Sequence, residues 1–377
     1  MAPAAEDLVG AIRKVASEEI APQATQVDRD RAFPSAGLQA LAAVGGLGIV
    51  VPQEQGGSGG GLQALAEACE AVGEACASTG MVYLMHAITA ATISGGGGER
   101  AAGYLEGLAS GRILGTLAFS ERGTGAHFYS PELQAVQSNG GVKISGRKSF
   151  VTSGGHADIY LVLVQSGSGE GLDCFVVERS ADGIRFDGEW EGLGMAGNSS
   201  VAMELDEVAI DAGARIGESG KGTDLVFSVV APFFLVGLAS VNVGIAGNAL
   251  KAAAEHAAGR RYPDGSLLAE VQGIQQQLAD MDIAVRRSRL LVHEAARLGD
   301  AGDEGALVPI MEAKVSATDT AAEVTQRALE VCGGQGYTPA LPIERDLRDA
   351  RAGAVMAPTN AVLRSWIGKA LTGLPVP

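Results

Sequence analysis

Hydrophobic positions along this chain change their period twice, dividing it into residues 1–112, 113–218 and 219–377. The first region is helical in texture. "AGLQALAAVGGLGIV" carries apolar residues at helical spacing and stops at Gly45-Gly46, a C-terminal glycine signal. "GLQALAEACEAVGEACASTGMVYLMHAITAATISG" repeats apolar residues at three and four and predicts one or two helices. "GERAAGYLEGLASG" predicts a further amphipathic helix. The middle region consists of short β-rich runs. "LQAVQSNGGVKISG" reads as a hairpin turning at Asn139-Gly140. "IYLVLVQ", "DCFVVER" and "VAMELDEVAI" predict strands, the last by alternation, and their spacing predicts a sandwich or small barrel. In the third region "LLAEVQGIQQQLADMDIAVRRSRLLVHEAARLG" holds a helical period for about eight turns. "LVPIMEAKVSATDTAAEVTQRALEVCGG" is another long helix, closed by Gly333-Gly334. Long helices with short joins predict an antiparallel bundle. The fold class is α+β, mainly α.

One run, Leu225–Gly247, is long and apolar enough to span a bilayer. It contains Ser228, Pro232, Ser240 and Asn242 and lacks the basic flank of an anchor, so it predicts a core helix and no membrane. With 377 residues, 46% of them hydrophobic and 19% charged, the chain has the profile of a soluble protein of two or three domains. Its 54 glycines favour close helix approach. A net charge of −16 argues against nucleic acid and anionic membranes as partners. Cys69, Cys76, Cys174 and Cys332 form no CxxC pair and no zinc-spaced cluster with histidine, so no metal is expected. They read as buried thiols of a reducing compartment. "MAPAAEDLVGAIRK" has no apolar signal core, and a cytoplasmic location follows as the expectation.

Five local motifs follow one another in this frame: "GLGIVVPQEQGGSG" (46–59), "LASGRILGTLAFSERGTG" (108–125), "SGRKSFVTSGGHADIYLV" (145–162), "RRYPDGSLLAEVQGIQQQLADM" (260–281) and "ALEVCGGQGYTPALPIERDLRDA" (328–350). In this order they resemble the acyl-CoA dehydrogenase family over nearly the whole chain. The resemblance implies an N-terminal α-helical domain, a central β-barrel or sandwich domain and a C-terminal four-helix bundle. It also implies a flavoenzyme, FAD-dependent, that works as a homo-oligomer, a tetramer or dimer. The flavin would sit between the β domain and the bundle, and a neighbouring subunit would hold part of the dinucleotide. An electron-transfer or flavin-reducing partner is implied as well.

By the same resemblance, Phe119 and Ser120 contact the isoalloxazine ring, and Phe150, where the family usually has Trp, packs on its far side with Thr152. Arg261 would reach a flavin phosphate through its guanidinium fork. Gln272, three turns on along the same helical segment, joins it, as does Thr359 in the run after "RDA". Gly333 and Gly334 would let the backbone approach the cofactor, although a plain helix cap explains them too. Glu330 stands where the family usually has glutamine. A carboxylate there would repel a pyrophosphate, which makes FMN the alternative to FAD.

Dehydrogenation of an acyl thioester needs a base within reach of the α proton. The family usually supplies a glutamate after "RDA"; here that position is Ala357, in Met356-Ala357-Pro358-Thr359. The alternative position of some relatives falls at Phe234, and an expected CoA-holding arginine is matched by Leu235. The substrate-side loop, usually ending in serine and aspartate, ends in Ala126 and His127. The substrate pocket implied by these matches is lined by Ala126, His127, Phe233, Phe234, Leu235 and Ala357. A flavin site without its carboxylate resembles the flavin-dependent oxygenases of the superfamily, in which a peroxyflavin attacks a small acyl or aromatic-like acid, free or as a thioester. That chemistry asks for a dry cavity more than for a carboxylate.

Two alternatives stand beside it. One is a dehydrogenase of acyl-CoA or an acyl carrier with a relocated base: Glu121, His127 or a carboxylate that the sequence does not place. The other is a non-catalytic subunit of a hetero-oligomer, against which the retention of Ser120, Thr152, Arg261 and the double glycine argues. His127 suits a proton carrier near neutral pH, with Tyr129 beside it, or is merely an exposed loop residue. His86, on an apolar helix, reads as a core histidine, and His156, His256 and His293 as solvated or structural. Glu344, Arg345, Asp346, Arg348 and Asp349 form a charge run that reads as a salt-bridged structural or subunit contact of exposed pairs.

Overall fold

The computed structural model describes residues 5–376. Seven helices come first: α1 (Ala5–Val15), α2 (Ala24–Arg29), α3 (Ser35–Ala43), α4 (Leu62–Ala75), α5 (Ala77–Gly96), α6 (Glu99–Ala102) and α7 (Leu105–Ser110). The long apolar stretch at 62–96 is two helices, because Cys76 adopts an extended backbone between them. "GERAAGYLEGLASG" is not one helix. It breaks at Gly103-Tyr104 into α6 and α7. α3 ends where Gly45 takes φ +78, the left-handed cap glycine permits.

Eight strands follow: β1 (Gly115–Ala118), β2 (Ala135–Ser138), β3 (Gly141–Val151), β4 (Ile159–Gln165), β5 (Leu172–Glu178), β6 (Ile184–Asp187), β7 (Val201–Asp211) and β8 (Arg215–Ile216). They form two four-stranded sheets, ordered β1-β4-β5-β8 and β2-β3-β7-β6. Among the strand pairings of the described residues, only β1–β4 is parallel. The Asn139-Gly140 turn joins β2 and β3 as its sequence predicts. β4 is buried on both faces. Tyr160, Val162 and Val164 pack against the second sheet, while Ile159, Leu161 and Leu163 join the helical core. That is why its sequence is a continuous apolar run rather than an alternation.

The remaining helices are α8 (Gly222–Leu225), α9 (Ala231–Gly259), α10 (Gln272–Asp300), α11 (Leu307–Cys332), α12 (Ile343–Val355) and α13 (Asn360–Leu371). A π turn at Val226–Val230 joins α8 to α9. The helical run Gly222–Gly259 is long and apolar enough to cross a membrane, but two thirds of its most apolar window is buried. α9 is the central helix, packed against α4, α10, α11 and α12. It meets α4 almost backbone to backbone. A Cβ on Gly244 would come within 2.3 Å of Glu70 O, and one on Gly73 within 2.8 Å of the Val241 backbone. Only glycine fits both places.

The charge run opening α12 is a salt-bridged structural contact, but it is not exposed. Arg345, Asp346 and Asp349 are buried. Arg348 holds Asp28 of α2 with two hydrogen bonds (2.7 and 2.9 Å) and also reaches Glu344 (2.8 Å). Asp349 accepts from Met195 N at 2.5 Å, and Asn248 of α9 donates to Asp346 at 2.7 Å. The run thus fastens bundle, N-terminal helices and β domain together. Burial pushes the Asp346 carboxyl up to about 7 and that of Asp349 up to about 6, with Arg345 pulling both back. Ordinary aspartate titrates near 3.8. Between those values the folded chain keeps protons that the unfolded chain has released, so stability falls as pH rises through this window. Asp346→Asn is expected to flatten that slope, measured as urea midpoints from pH 4 to 8; an unchanged slope would show that Asp346 does not set it.

Candidate active site

Residues of all three regions converge where β1 ends. Phe119 and Ser120 follow β1, and Ser149 N of β3 donates to Ser120 O at 2.8 Å. The β3–β7 register pairs Lys148 with Met203 and Val151 with Val201, so Ser149 and Phe150 together oppose one residue, Ala202. Such a bulge bends the strand and re-aims a side chain. Phe150 emerges with φ +53 and is 70% exposed. Left-handed backbone at a bulky residue is costly, and Ser153 (+60), Met195 (+50) and Ser199 (+48) share it nearby. Thr152, two residues on, is buried, its hydroxyl 3.1 Å from that of Ser200.

Beneath this rim lies an ion pair. Lys148 points inward and is wholly buried; its Nζ donates to Glu121 Oε1 (2.5 Å), Leu163 O (2.6 Å) and Phe119 O (3.4 Å). Glu121 also accepts from the backbone of Glu132 (2.6 Å) and Leu133 (3.2 Å). Burial pushes the Lys148 ammonium down, and the Glu121 charge opposes that shift.

A cavity of about 70 Å³ opens on the rim. Its β side is Leu117, Phe119, Ser120, Ser149 and Phe150, and Phe128 closes one end. The helices supply Met85 of α5, Val230 and Phe234 at the start of α9, and Ala357 from the turn between α12 and α13. None of these lining residues is ionisable. The residues fit a flavin ring: an exposed aromatic face, two hydroxyls on the rim and apolar walls.

Comparison with known proteins gives the family. The acyl-CoA dehydrogenase N-terminal, middle and C-terminal domain models match residues 2–112, 116–208 and 235–372. This chain belongs to the acyl-CoA dehydrogenase family. It is 33% identical to cyclohex-1-ene-1-carbonyl-CoA dehydrogenase of Syntrophus aciditrophicus over 97% of this chain and 89% of that protein. The Geobacter metallireducens enzyme of the same name is also 33% identical, covering 96% of each. Among solved structures, butyryl-CoA dehydrogenase from Megasphaera elsdenii superposes with TM-score 0.92 at 26% identity, covering 98% of both chains.

The remaining positions that this family resemblance singles out are scattered. Ala126 and His127 do not line the cavity. Turns from His127 N to Thr124 O and Ser130 N to His127 O curl the loop, leaving His127 exposed with Nδ1 2.8 Å from Tyr129 Oη. Leu235 is buried in the core behind Phe234, and Phe233 is half-buried against that core, so neither joins the lining. Thr359 caps α13, accepting from Val362 N at 3.4 Å. Arg261 and Gln272 are not on one helical segment. Arg261 lies in the α9–α10 connection, bridged to Leu267, and Gln272 is the first residue of α10. Both are exposed, as are Gly333 and Gly334 past the end of α11, where Gly333 has φ +54 and open space around it. Glu330 sits apart from the cavity, in an open groove of about 540 Å³ that it shares with Arg327 and Arg351. His86 is fully buried; its Nδ1 accepts from Gly115 N at 3.3 Å and its Nε2 has no partner among the described residues.

Sequence reasoning missed Met85, Phe128, Ser149, Val230, Lys148 and a second buried lysine, Lys314 of α11. A lysine at an inward position of an alternating strand was the available signal for Lys148. Removing Lys148 alone leaves Glu121 as a buried charge without its partner. Lys148→Met is expected to cost about 3–5 kcal/mol of unfolding free energy, with the Glu121→Gln/Lys148→Met pair recovering most of it. Urea unfolding of the single and double variants measures both.

Proposed function

We propose that this chain is a FAD-dependent oxidoreductase acting on a small acyl or aromatic-like acid, carried as a thioester. Its pocket suits reaction with dioxygen better than carboxylate-assisted α,β-dehydrogenation. The observation that carries this is the cavity wall: Ala357 and Phe234 stand at both family base positions, and no lining residue can take a proton. The cofactor supplies hydride acceptance and, once reduced, electrons for oxygen. The protein's part is placement. Phe150, turned out by the bulge, offers a ring face for stacking, and the Ser120 and Ser149 hydroxyls meet the polar edge. Met85, Phe128, Val230 and Phe234 exclude water, which strengthens every polar interaction inside. FAD rather than FMN follows the family; Glu330 accepts from Gln326 and shares its groove with Arg351, while Arg327 is held by Asp280 and Glu323. Arg261, Gln272, Gly333 and Gly334 are exposed and free to reach the dinucleotide of a second copy, in a homo-oligomer. A cytoplasmic location and an electron-transfer or flavin-reducing partner complete the reading.

Dehydrogenation with a relocated base is the second reading, favoured by the 33% identical dehydrogenases of a cyclic acyl-CoA. Two candidate bases are poorly placed for it. Both Glu121 oxygens are engaged by Lys148 and backbone amides, and His127 lies outside the cavity.

An anaerobic titration of the purified protein with acyl-CoA thioesters separates the two. Oxidised flavin is expected to persist with saturated thioesters, and the reduced protein to consume oxygen with transfer to substrate. Bleaching by a saturated thioester would establish dehydrogenation instead. Ala357→Glu restores a carboxylate at the family position and is expected to introduce bleaching. Arg261→Ala is expected to lower flavin content after gel filtration; full occupancy would remove that assignment.

A further inference from the structure

The C-terminal wall of the cavity is the turn Met356–Thr359 between α12 and α13. One buried lysine, whose ammonium is pushed down to about 7 by burial, holds it from behind. Lys314 has no exposed surface, and its Nζ donates to Pro358 O (3.1 Å), Met356 O (3.4 Å) and Asn360 Oδ1 (2.9 Å). Asn360 donates onward to Thr318 Oγ1 (2.8 Å) and Asp319 Oδ1 (3.0 Å), and Asp319 pairs with Arg364 of α13. An ammonium has three N–H groups, and here each meets an acceptor. Two of these acceptors are backbone carbonyls, one on each side of Ala357.

Burying a lysine is costly unless its donors are met. Tying α11 to α13 does not need one, since Asn360 already bridges Thr318 and Asp319. What the ammonium adds is the direction of the two carbonyls. Both point to the bundle interior, and the residue between them, Ala357, faces the cavity.

We propose that Lys314 is a positioning residue for the reaction site: it gathers the carbonyls of Met356 and Pro358 away from the cavity, so that the turn meets the cavity through Ala357. The inference rests on reading the cavity as the reaction site. Released carbonyls would be acceptors in that wall, and acceptors hold water. Lys314 therefore keeps dry a surface that has no carboxylate to hide.

Lys314→Met has similar length and no donors. Two readouts test it on the full chain. Hydrogen–deuterium exchange, with or without flavin, is expected to quicken about tenfold or more in the peptide covering residues 353–362, and nowhere else in the bundle. In the flavin-loaded protein, the fine structure of the flavin visible band, which sharpens in dry surroundings, is expected to flatten. Lys314→Arg, which can still donate to carbonyls, is expected to restore part of both. Should Lys314→Met give no soluble protein, Asn360→Ala removes one acceptor and is expected to shift both readouts in the same direction. Exchange and band equal to the parent would overturn the proposal. Faster exchange with an unmoved band would also overturn it, leaving Lys314 a purely structural clip. A parent protein that binds no flavin would overturn the functional reading instead, and the exchange result would still decide whether Lys314 holds the turn.

Discussion

The Lys148–Glu121 pair is the constraint on which the β side of the site depends. A buried ammonium must find acceptors, and Lys148 finds them on three segments: the exit of β1 at Phe119, the loop residue Glu121 and the carbonyl of Leu163 on β4. Glu121 in turn takes two backbone amides at Glu132 and Leu133. One charge pair therefore fixes where β1 ends, how the 121–133 loop leaves it and how deep β3 sits. The bulge at Ser149-Phe150 follows directly after Lys148. With the lysine anchored inward, the next two residues bulge and Phe150 is left facing out. Such pairs contribute little net stability against an apolar substitute. What this one contributes is position.

A second set of buried charges does the same for the domains. Arg348 reaches back to Asp28, and Asp349 takes the amide of Met195, so the start of α12 touches the N-terminal helices and the β domain at once. The cavity lies where these regions meet, and its walls come from α5, the strands, α9 and the turn after α12. The β side and the turn after α12 are thus held by polar contacts outside the cavity, and the interior itself can be apolar.

Much of this was legible in the sequence. Periodicity separated helical from strand regions, and the Asn139-Gly140 turn, β4 and the long helices lie where the pattern placed them. Phe119, Ser120, Phe150, Phe234 and Ala357 do meet at one cavity, because local motifs carry the geometry of their own strand or turn. Contacts between distant segments were not legible. Arg345, Asp346 and Asp349 look like surface residues in one dimension, and nothing local says that Asp28, Asn248 and Met195 surround them. Arg261 and Gln272 read as one helical segment because the 3₁₀ turn at Leu268–Glu270 still matches a helical period. Met85 and Val230 were hidden among identical-looking core positions.

The near-contact of α4 and α9 bears on how this protein can diversify over generations. Phe234 and Val230 ride at the N-terminal end of a helix whose middle turns leave no clearance at Gly73 and Gly244. Backbone drift there is closed to inheritance, since almost any replacement would push the two helices apart and carry the pocket with them. New specificities in this lineage must therefore arise by exchanging the few side chains that ring the cavity, above a scaffold that stays still.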